Sequence, residues 1–249
     1  MTDSTLSSHY QQAGEGNVLE KTYLSRNVLA RMLWQRRGRE ISRLLKSAIG
    51  AGGVLVDIGC GGGWYARILA ESGTMVLATD ISGGYARQTR EYCSDRPNVA
   101  VAQCDAVYLP FANGSVDAVL ISEVLEHLPS PELAIAEAKR VLKPGGLVLM
   151  SVPSILNIEW AARLRAKLKG QFYEHLQTYT PWSFRVFPRK NALDVRYFGT
   201  CLFLPVLWNS LSSKMNALEK VYNSVENVVS RVPGLNRLGR TIIILAQVK

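Results

Sequence analysis

The sequence predicts an α/β fold in three layers, with a mostly parallel sheet between two layers of helices. Short apolar segments alternate with helical segments through the middle of the chain, beginning with Val54–Ile58. Strands that are apolar along their whole length are buried on both faces, so helices must cover each side of the sheet. No repeat or low-complexity segment divides the 249 residues, which is consistent with one large domain.

Seven strands are expected in this sheet. They are predicted at residues 54–58, 75–79, 99–102, 116–121, 147–152, 192–198 and 241–248. Helices are predicted at residues 18–48, 64–72, 83–93, 131–142, 158–169 and 173–187. A Lys-Pro-Gly-Gly turn at residues 143–146 should precede the fifth strand, and a largely helical insertion at residues 202–238 should precede the last.

Charge and cysteine content restrict the cellular setting without deciding the function. The net charge is +9, and residues 154–249 carry 14 basic but only 5 acidic side chains. Nucleic acid, an anionic membrane surface or an acidic small substrate could each use this asymmetry. Four cysteines without a C-x-x-C pair favour neither a zinc site nor disulfides, so we expect a reducing cytoplasm and no bound metal. The polar N-terminus does not resemble a signal peptide, and the longest apolar run is too short to cross a membrane.

A glycine-rich loop follows the first strand and is the clearest ligand signal. Its sequence, D-I-G-C-G-G-G over residues 57–63, places glycines where backbone must approach a ligand and where a helix begins. Dinucleotides and S-adenosylmethionine are the two common ligands of this arrangement. The dinucleotide fingerprint needs a third glycine where Trp64 stands, and Trp64 should crowd a pyrophosphate. Asp57 would repel a phosphate but suits a ligand with a cationic amino group.

Two further acids follow strands. Asp80 ends the second strand, where a carboxylate can accept hydrogen bonds from both ribose hydroxyls of either ligand. Asp105 follows the third strand. Each could instead serve only to form a turn, as Asp often does after a strand.

Four segments together resemble the class I, Rossmann-like S-adenosylmethionine-dependent methyltransferases, in the branch that includes ubiquinone- and menaquinone-pathway methylases. They are VLVDIGCGGGWYARILAESG, VLATD, QCDAVYLPFANGSVDAVLISEVLEHL and EAKRVLKPGGLVLMSVPS, within residues 54–154. The resemblance implies that Asp57 and the glycine loop hold the methionine end of the cofactor, Asp80 the ribose, and Asp105 the adenine. The residues assigned to cofactor binding are Asp57, Gly59, Cys60, Gly61, Gly63, Asp80, Ile81, Asp105, Ala106 and Ser122.

Two histidines are the candidate catalytic residues. His127, in the Ser-Glu-Val-Leu-Glu-His-Leu segment after the fourth strand, could act as a general base near neutral pH. The Glu-His pair is widespread in the resembled family whatever the acceptor, which favours a role on the cofactor side. His175 belongs to an H-x-x-x-Y-T-P element that the resemblance places on the acceptor side. That element also predicts a helix that Thr180 caps and Pro181 begins.

The resemblance predicts methyl transfer but leaves the acceptor open. We expect a hydrophobic or lipid-linked small molecule, methylated on oxygen or carbon, because the insertion begins with the apolar run 202–208 and the C-terminal third is basic. Contact with an anionic membrane is a related expectation. The alternatives are an RNA methyltransferase, disfavoured because the fourth strand lacks an Asn/Asp-Pro-Pro motif, a dehydrogenase, and a silent cofactor-binding scaffold.

The expected organisation is a single methyltransferase domain over residues 1–249. Helices in residues 18–48 should form an N-terminal cap, and residues 54–153 the cofactor-binding core. Residues 154–190 should form the acceptor side or lid, and residues 202–238 an insertion.

Overall fold

A seven-stranded sheet forms the centre of the protein in the computed structural model. The structure describes residues 17–25, 28–50, 52–156, 175–201 and 239–249, with a few isolated positions between them. The strands are β1 (Val54–Ile58), β2 (Met75–Asp80), β3 (Val99–Gln103), β4 (Val116–Ser122), β5 (Leu142–Pro153), β6 (Leu193–Cys201) and β7 (Thr241–Val248). Their order is β3-β2-β1-β4-β5-β7-β6, and β7 is antiparallel to both of its neighbours. The other pairings are parallel, so the predicted mostly parallel sheet is confirmed.

Helices cover both faces of this sheet. They are α1 (Val18–Lys21), α2 (Val28–Ile49), α3 (Trp64–Ala70), α4 (Gly83–Tyr92), α5 (Pro131–Val141) and α6 (Pro181–Lys190), with a short 3₁₀ helix at Leu125–His127. One core contains Ile41 of α2 and Leu69 of α3, packed with strand residues such as Leu55. The other contains Ile135 of α5 and Phe184 of α6. Neighbouring strand residues alternate between the two cores because successive side chains point to opposite faces.

The order of the strands reverses between β1 and β4, and this reversal positions the site. These two strands pair in parallel, with Ile58 beside Ile121 near their carboxyl ends. The segment after β1 runs toward one side of the sheet and the segment after β4 toward the other, which opens a crevice at the edge. The glycine loop follows β1 here, and the turn that carries His127 follows β4.

Two predicted elements lie within longer segments of the structure. The expected turn at residues 143–146 lies inside the range of β5, where the pairing moves from Val116 with Leu142 to Ala118 with Leu147. It keeps the geometry of a turn, because Gly145 has a φ of 75° and a Cβ at Gly146 would lie 2.8 Å from the Lys143 carbonyl oxygen. Of the helical stretch predicted at residues 173–187, residues 175–180 are not helical, and the helix start predicted at Pro181 is confirmed. The helix begins at Pro181, and the Thr180 side chain accepts from the Ser183 N–H in a capping box.

Most of two predicted regions lies outside the described residues. These are the basic stretch at residues 158–169, within the expected lid, and the insertion at residues 202–238. None of the helices in the described part of the chain combines the length and the apolar composition that a membrane span needs.

Candidate functional site

The glycine loop lies at the carboxyl end of β1 in a conformation that favours glycine. Gly59, Gly61 and Gly63 have φ angles of 70°, 54° and 83°. A Cβ at Gly59 would lie 2.3 Å from a methyl group of Val124, and one at Gly63 would lie 2.8 Å from a methyl group of Thr89. A Cβ at Gly61 would instead meet no atom of the described residues within 4 Å. The outer glycines are therefore required for packing, whereas Gly61 faces open space that a ligand can occupy.

Asp57 places a buried carboxyl group beside this loop. Its exposed fraction is 1%, and among the described residues its Oδ2 atom has no hydrogen-bond partner. Burial, together with the charge of Asp80, raises the pKa of Asp57 to about 7. Since a buried acid without a partner is costly, its position at the edge of a crevice indicates that a ligand supplies the missing interaction. A cationic group would do so best, because it favours the ionised carboxylate.

Asp80 ends β2 and joins that strand to the glycine loop. Its Oδ2 accepts from the Gly61 N–H and its Oδ1 from the Ser82 N–H, both at 2.9 Å. Burial raises the pKa of this carboxyl group, while the two backbone donors oppose the shift. A carboxylate offers about four acceptor positions, so each oxygen can accept one further hydrogen bond. Asp80 is therefore held in place by backbone and still able to bind a pair of hydroxyls.

Cys60 packs inside the loop. Its Sγ atom lies 3.4 Å from Thr89 Oγ1, and the Thr89 hydroxyl donates to the Gly61 carbonyl at 2.8 Å. Burial raises the pKa of the Cys60 thiol well above its ordinary value, which keeps it protonated and unreactive at neutral pH. Cys60 therefore stabilises the loop through its packing.

The residues predicted at the adenine surround the end of Asp80. The Cys104 N–H donates to the Asp80 carbonyl, and the Gln103 side-chain amide donates to the Ile81 carbonyl. Asp105 is exposed, and its Oδ1 accepts from the Val107 N–H at 3.1 Å. Asp105 thus forms a turn of its own, and its predicted contact with adenine stays a prediction.

A buried ion pair joins the N-terminal helix α2 to the end of β4. Arg37 Nη1 lies 2.8 Å from Glu123 Oε2, and the Arg37 side chain is only 6% exposed. Glu123 has a φ of 56°, unusual for a residue other than glycine. The Ser151 hydroxyl donates to Glu123 Oε1 and lies 2.9 Å from the hydroxyl of Ser122. Ser122 therefore belongs to a polar network with Ser151 and Glu123, and its predicted contact with the cofactor stays a prediction.

His127 and His175 come together although they are far apart in the sequence. Their ring centroids are 4.8 Å apart with an interplanar angle of 79°, and His127 Nε2 lies 3.9 Å from Glu126 Oε1. The segment after His175 is fixed to this turn, since the Gln177 N–H donates to the Glu126 carbonyl at 2.9 Å. Val124, earlier in the same turn, contacts the glycine loop. The side chains of Glu126, His127 and His175 thus form one cluster at the carboxyl end of β4.

Comparisons with known proteins identify the family. Residues 56–150 match the family described as a methyltransferase domain. A ubiquinone/menaquinone biosynthesis C-methyltransferase of Cellvibrio japonicus is 31% identical over 218 residues, which cover 82% of this chain and 80% of that protein. The chain belongs to the S-adenosylmethionine-dependent methyltransferases.

Other comparisons extend this result. The methyltransferase is 38% identical over 146 residues to a ubiquinone biosynthesis O-methyltransferase of Methylococcus capsulatus, covering 58% of this chain and 60% of that protein. It spans only 30% and 29% of the length of two larger relatives that are 43% and 38% identical to it. The crystal structure of a methyltransferase from Aquifex aeolicus has the same fold, with a TM-score of 0.57, 13% identity and 98% coverage of both chains.

The described residues of the methyltransferase fit S-adenosylmethionine, the cofactor of this family. Asp57 offers a buried carboxylate oxygen for the ammonium group of the cofactor, and Asp80 has acceptor positions for the ribose hydroxyls. Gly61 leaves the space between them open. The individual contacts of Gly59, Cys60, Gly63, Ile81, Asp105, Ala106 and Ser122 stay predictions.

One argument from the sequence was wrong in its geometry. Trp64 was expected to crowd a pyrophosphate in the loop, but its ring stacks on Tyr23, with centroids 4.5 Å apart at 8°. A Cβ at Gly38 of α2 would lie 2.9 Å from Trp64 Nε1, so the indole packs against α2. The case against a phosphate at this site therefore depends on the carboxylate of Asp57.

Arg37 and Glu126 are the site residues that the sequence interpretation missed. Arg37 lies one helical turn from both Leu33 and Ile41, which are buried apolar residues of α2. An arginine on the apolar side of an amphipathic helix was a signal that it is buried and paired. No comparable signal existed for Glu126, because the third member of its cluster comes from a distant segment.

Proposed function

We propose that this protein transfers a methyl group from S-adenosylmethionine to an oxygen or a ring carbon of a hydrophobic small molecule. When bound, the cofactor supplies an activated methyl group on its sulfonium centre. The chain must hold the cofactor, align the acceptor, exclude water and bind the hydroxyl of the acceptor. Asp57, Gly61 and Asp80 are the residues proposed for the first task.

The cluster of His127 and His175 at the carboxyl end of β4 is the observation that carries this proposal. His127 and Glu126 lie in the turn after β4, and His175 joins them from the segment before α6. The turn after β4 also contacts the glycine loop through Val124. Imidazole nitrogens can bind a phenol or enol hydroxyl and change its protonation near neutral pH. A nucleophile that must lose a proton is typical of O-methylation and of methylation at a ring carbon activated by a hydroxyl. Two relatives are named as enzymes of quinone biosynthesis, which supports an acceptor of this class.

A hydrophobic acceptor is further supported by the C-terminal third of the sequence. The run 202–208 reads Leu-Phe-Leu-Pro-Val-Leu-Trp, and residues 154–249 have a large excess of basic side chains. An apolar segment flanked by cations can bind the surface of an anionic membrane in which a lipid-like acceptor dissolves. We therefore propose that residues 154–190 and 202–238 form the acceptor side.

A labelled-transfer experiment tests the proposed activity. Purified protein and S-adenosylmethionine with a labelled methyl group are incubated with a cell extract, which is then separated into lipid, small-molecule, RNA and protein fractions. We expect label in the lipid or small-molecule fraction. The Gly61→Val variant is the matched control, because its side chain fills the cofactor space, and it should transfer nothing. Label that appears only in RNA or protein, or no label at all, would contradict the proposal.

The proposed membrane contact has a separate test. Replacement of Phe203, Leu207 and Trp208 by serine should reduce flotation with anionic liposomes while cofactor affinity stays unchanged, because the run is proposed to enter the interface. High salt screens the ionic attraction between basic side chains and anionic lipid. The liposome binding of the wild type that remains at high salt should therefore measure the contribution of the apolar run. Equal flotation of both proteins, or none, would show that this run does not bind membranes.

A further inference from the structure

We propose that Glu126, His127 and His175 form a binding site for a divalent transition-metal ion, with Zn²⁺ as the best match to the donors. Each residue offers one ligand atom, and these atoms all lie within 4.8 Å of one another. The sequence predicted no metal, because the four cysteines form no C-x-x-C pair and have no histidine at ligand spacing. The fold supplies the third donor from the segment that precedes α6.

The type of donor determines the class of ion. Two imidazole nitrogens and one carboxylate oxygen form the ligand set of many catalytic zinc sites, and Fe²⁺ and Co²⁺ accept the same set. Mg²⁺ and Ca²⁺ prefer oxygen ligands, so they fit this cluster poorly. Bonds of about 2.0–2.2 Å around a tetrahedral ion place donor atoms roughly 3.4 Å apart. Donor atoms at the limit of 4.8 Å must therefore approach each other by about 1.4 Å when an ion binds.

The backbone around the cluster is fixed before any ion binds. The Gln177 N–H donates to the Glu126 carbonyl at 2.9 Å, and the Gln177 side-chain amide donates to the Pro129 carbonyl at 3.2 Å. The Ile155 N–H donates to the Tyr179 carbonyl, which ties the same segment to the end of β5. These bonds hold the segment of His175 against the turn of His127. A metal site requires this kind of support, because the ligands must be held in place by a surrounding shell.

The three donors reach the cluster from different depths. Glu126 is only 1% exposed, whereas both histidine side chains remain partly accessible at the edge of the sheet. An ion at this site would be bound by the buried Glu126 carboxylate and by the two partly accessible imidazoles. Its remaining coordination positions would then face the crevice.

The role of such an ion depends on the proposed function. Three protein ligands leave at least one position open, as in catalytic zinc sites. A hydroxyl oxygen of the acceptor bound there would have a lower pKa than in water. The ion would thus fix the position of the acceptor oxygen and favour its ionised form, which a hydrogen bond to imidazole alone does less strongly.

Cobalt binding tests the site without any acceptor. The full chain, free of affinity tags and treated with a chelator, is titrated with Co²⁺ and followed by its visible absorption. We expect one ion per chain with the spectrum of a four- or five-coordinate site, and Zn²⁺ should displace it. His127→Gln and His175→Gln should each weaken binding by at least about tenfold. His9→Gln removes the one histidine outside the cluster and serves as the matched control, with wild-type affinity expected.

Two measurements keep the result unambiguous. Calorimetric titration with S-adenosylmethionine should give wild-type affinity in His175→Gln, which shows that the variant is folded. No cobalt binding by the wild type, or equal binding by the wild type and both cluster variants, would overturn the site. Ion binding that depends on the cluster, combined with no labelled transfer to any small molecule, would instead retain the metal site and reject the proposed function.

Discussion

Replacement of Asp57 by asparagine should stabilise the ligand-free protein at neutral and alkaline pH. Burial raises the pKa of Asp57 to about 7, against about 3.9 in an unfolded chain. Between these values the folded protein keeps a proton on Asp57 that the unfolded chain has lost. The free energy of unfolding therefore falls as pH rises from about 4 to about 7 and stays low above that range.

The size of the effect follows from the shift in pKa. Each pKa unit corresponds to about 1.4 kcal/mol, so ionised Asp57 should cost about 4 kcal/mol at pH 8. Asparagine has nearly the same shape as the protonated acid and cannot ionise. The variant should therefore gain up to about 4 kcal/mol at pH 8, or roughly 10 °C in unfolding temperature for a chain of this size, and almost nothing at pH 4.

Urea unfolding of the wild type and the variant across this pH range measures the effect. Asp80→Asn is the matched control. The Asp80 carboxylate accepts from two backbone N–H groups, one on each oxygen, and the asparagine amide keeps only one of these two acceptors. That variant loses one backbone hydrogen bond, and because the pKa of Asp80 is raised in the same direction as that of Asp57, its gain at pH 8 should be smaller than the gain of Asp57→Asn. If Asp57→Asn has no higher free energy of unfolding than the wild type at pH 8, or if the difference does not change with pH, the reasoning is refuted.

The same substitution should weaken cofactor binding, because the ammonium group of S-adenosylmethionine favours an ionised Asp57. In the wild type, cofactor affinity should rise about tenfold per pH unit below pH 7 and level off above it. In Asp57→Asn the affinity should be lower and nearly independent of pH over this range. Calorimetry at several pH values measures both, and a wild-type affinity without this pH dependence would remove Asp57 from the cofactor site.

Three further predictions concern the same crevice. Gly61→Val should abolish cofactor binding while lowering the free energy of unfolding by only about 1–2 kcal/mol. Gly63→Val should lower the free energy of unfolding more, since its Cβ would lie 2.8 Å from Thr89. Chemical unfolding measures the loss of stability in each variant, and cofactor titration measures the loss of binding. Asp80→Ala should weaken cofactor affinity by about 1–3 kcal/mol, and an unchanged affinity in calorimetry would contradict its assignment to the ribose. Arg37→Met should destabilise the protein by about 3 kcal/mol, because it leaves the Glu123 carboxylate without its ion pair, and urea unfolding should show partial recovery when Glu123→Gln is added.

The position of the glycine loop and of the acids beside it could be predicted from sequence because their determinants are local. The strand β1 and the last strand, β7, have the predicted bounds, and the glycines and acids that follow β1 and β2 lie where the pattern placed them. Glycine at a strand end and Asp at the next strand end have structural consequences within a few residues. The pKa of Asp57 was beyond such reasoning, since it depends on burial by several elements and on the charge of Asp80.

The elements that were predicted less well depend on contacts distant in the sequence. The turn at Lys143–Gly146 could be recognised from its residues, but the pairing of β4 with the chain on both sides of it could not. The helix start at Pro181 could be recognised from its cap, but the attachment of the preceding residues to Glu126 and to the end of β5 could not. Both attachments are tertiary contacts, which local preference does not determine.

The two halves of the crevice are therefore fixed by different physical means. The cofactor half consists of short loops held by their own backbone hydrogen bonds, such as those from Gly59 and Cys60 to Thr79. The proposed acceptor half depends on one segment, residues 175–180, that is attached to the turn after β4 through Gln177. A change in that segment can alter what lies beside His127 while Asp57 and Asp80 keep their positions. Since local sequence patterns encode the loop and its acids but not this long-range attachment, the sequence predicted a cofactor and left the acceptor open.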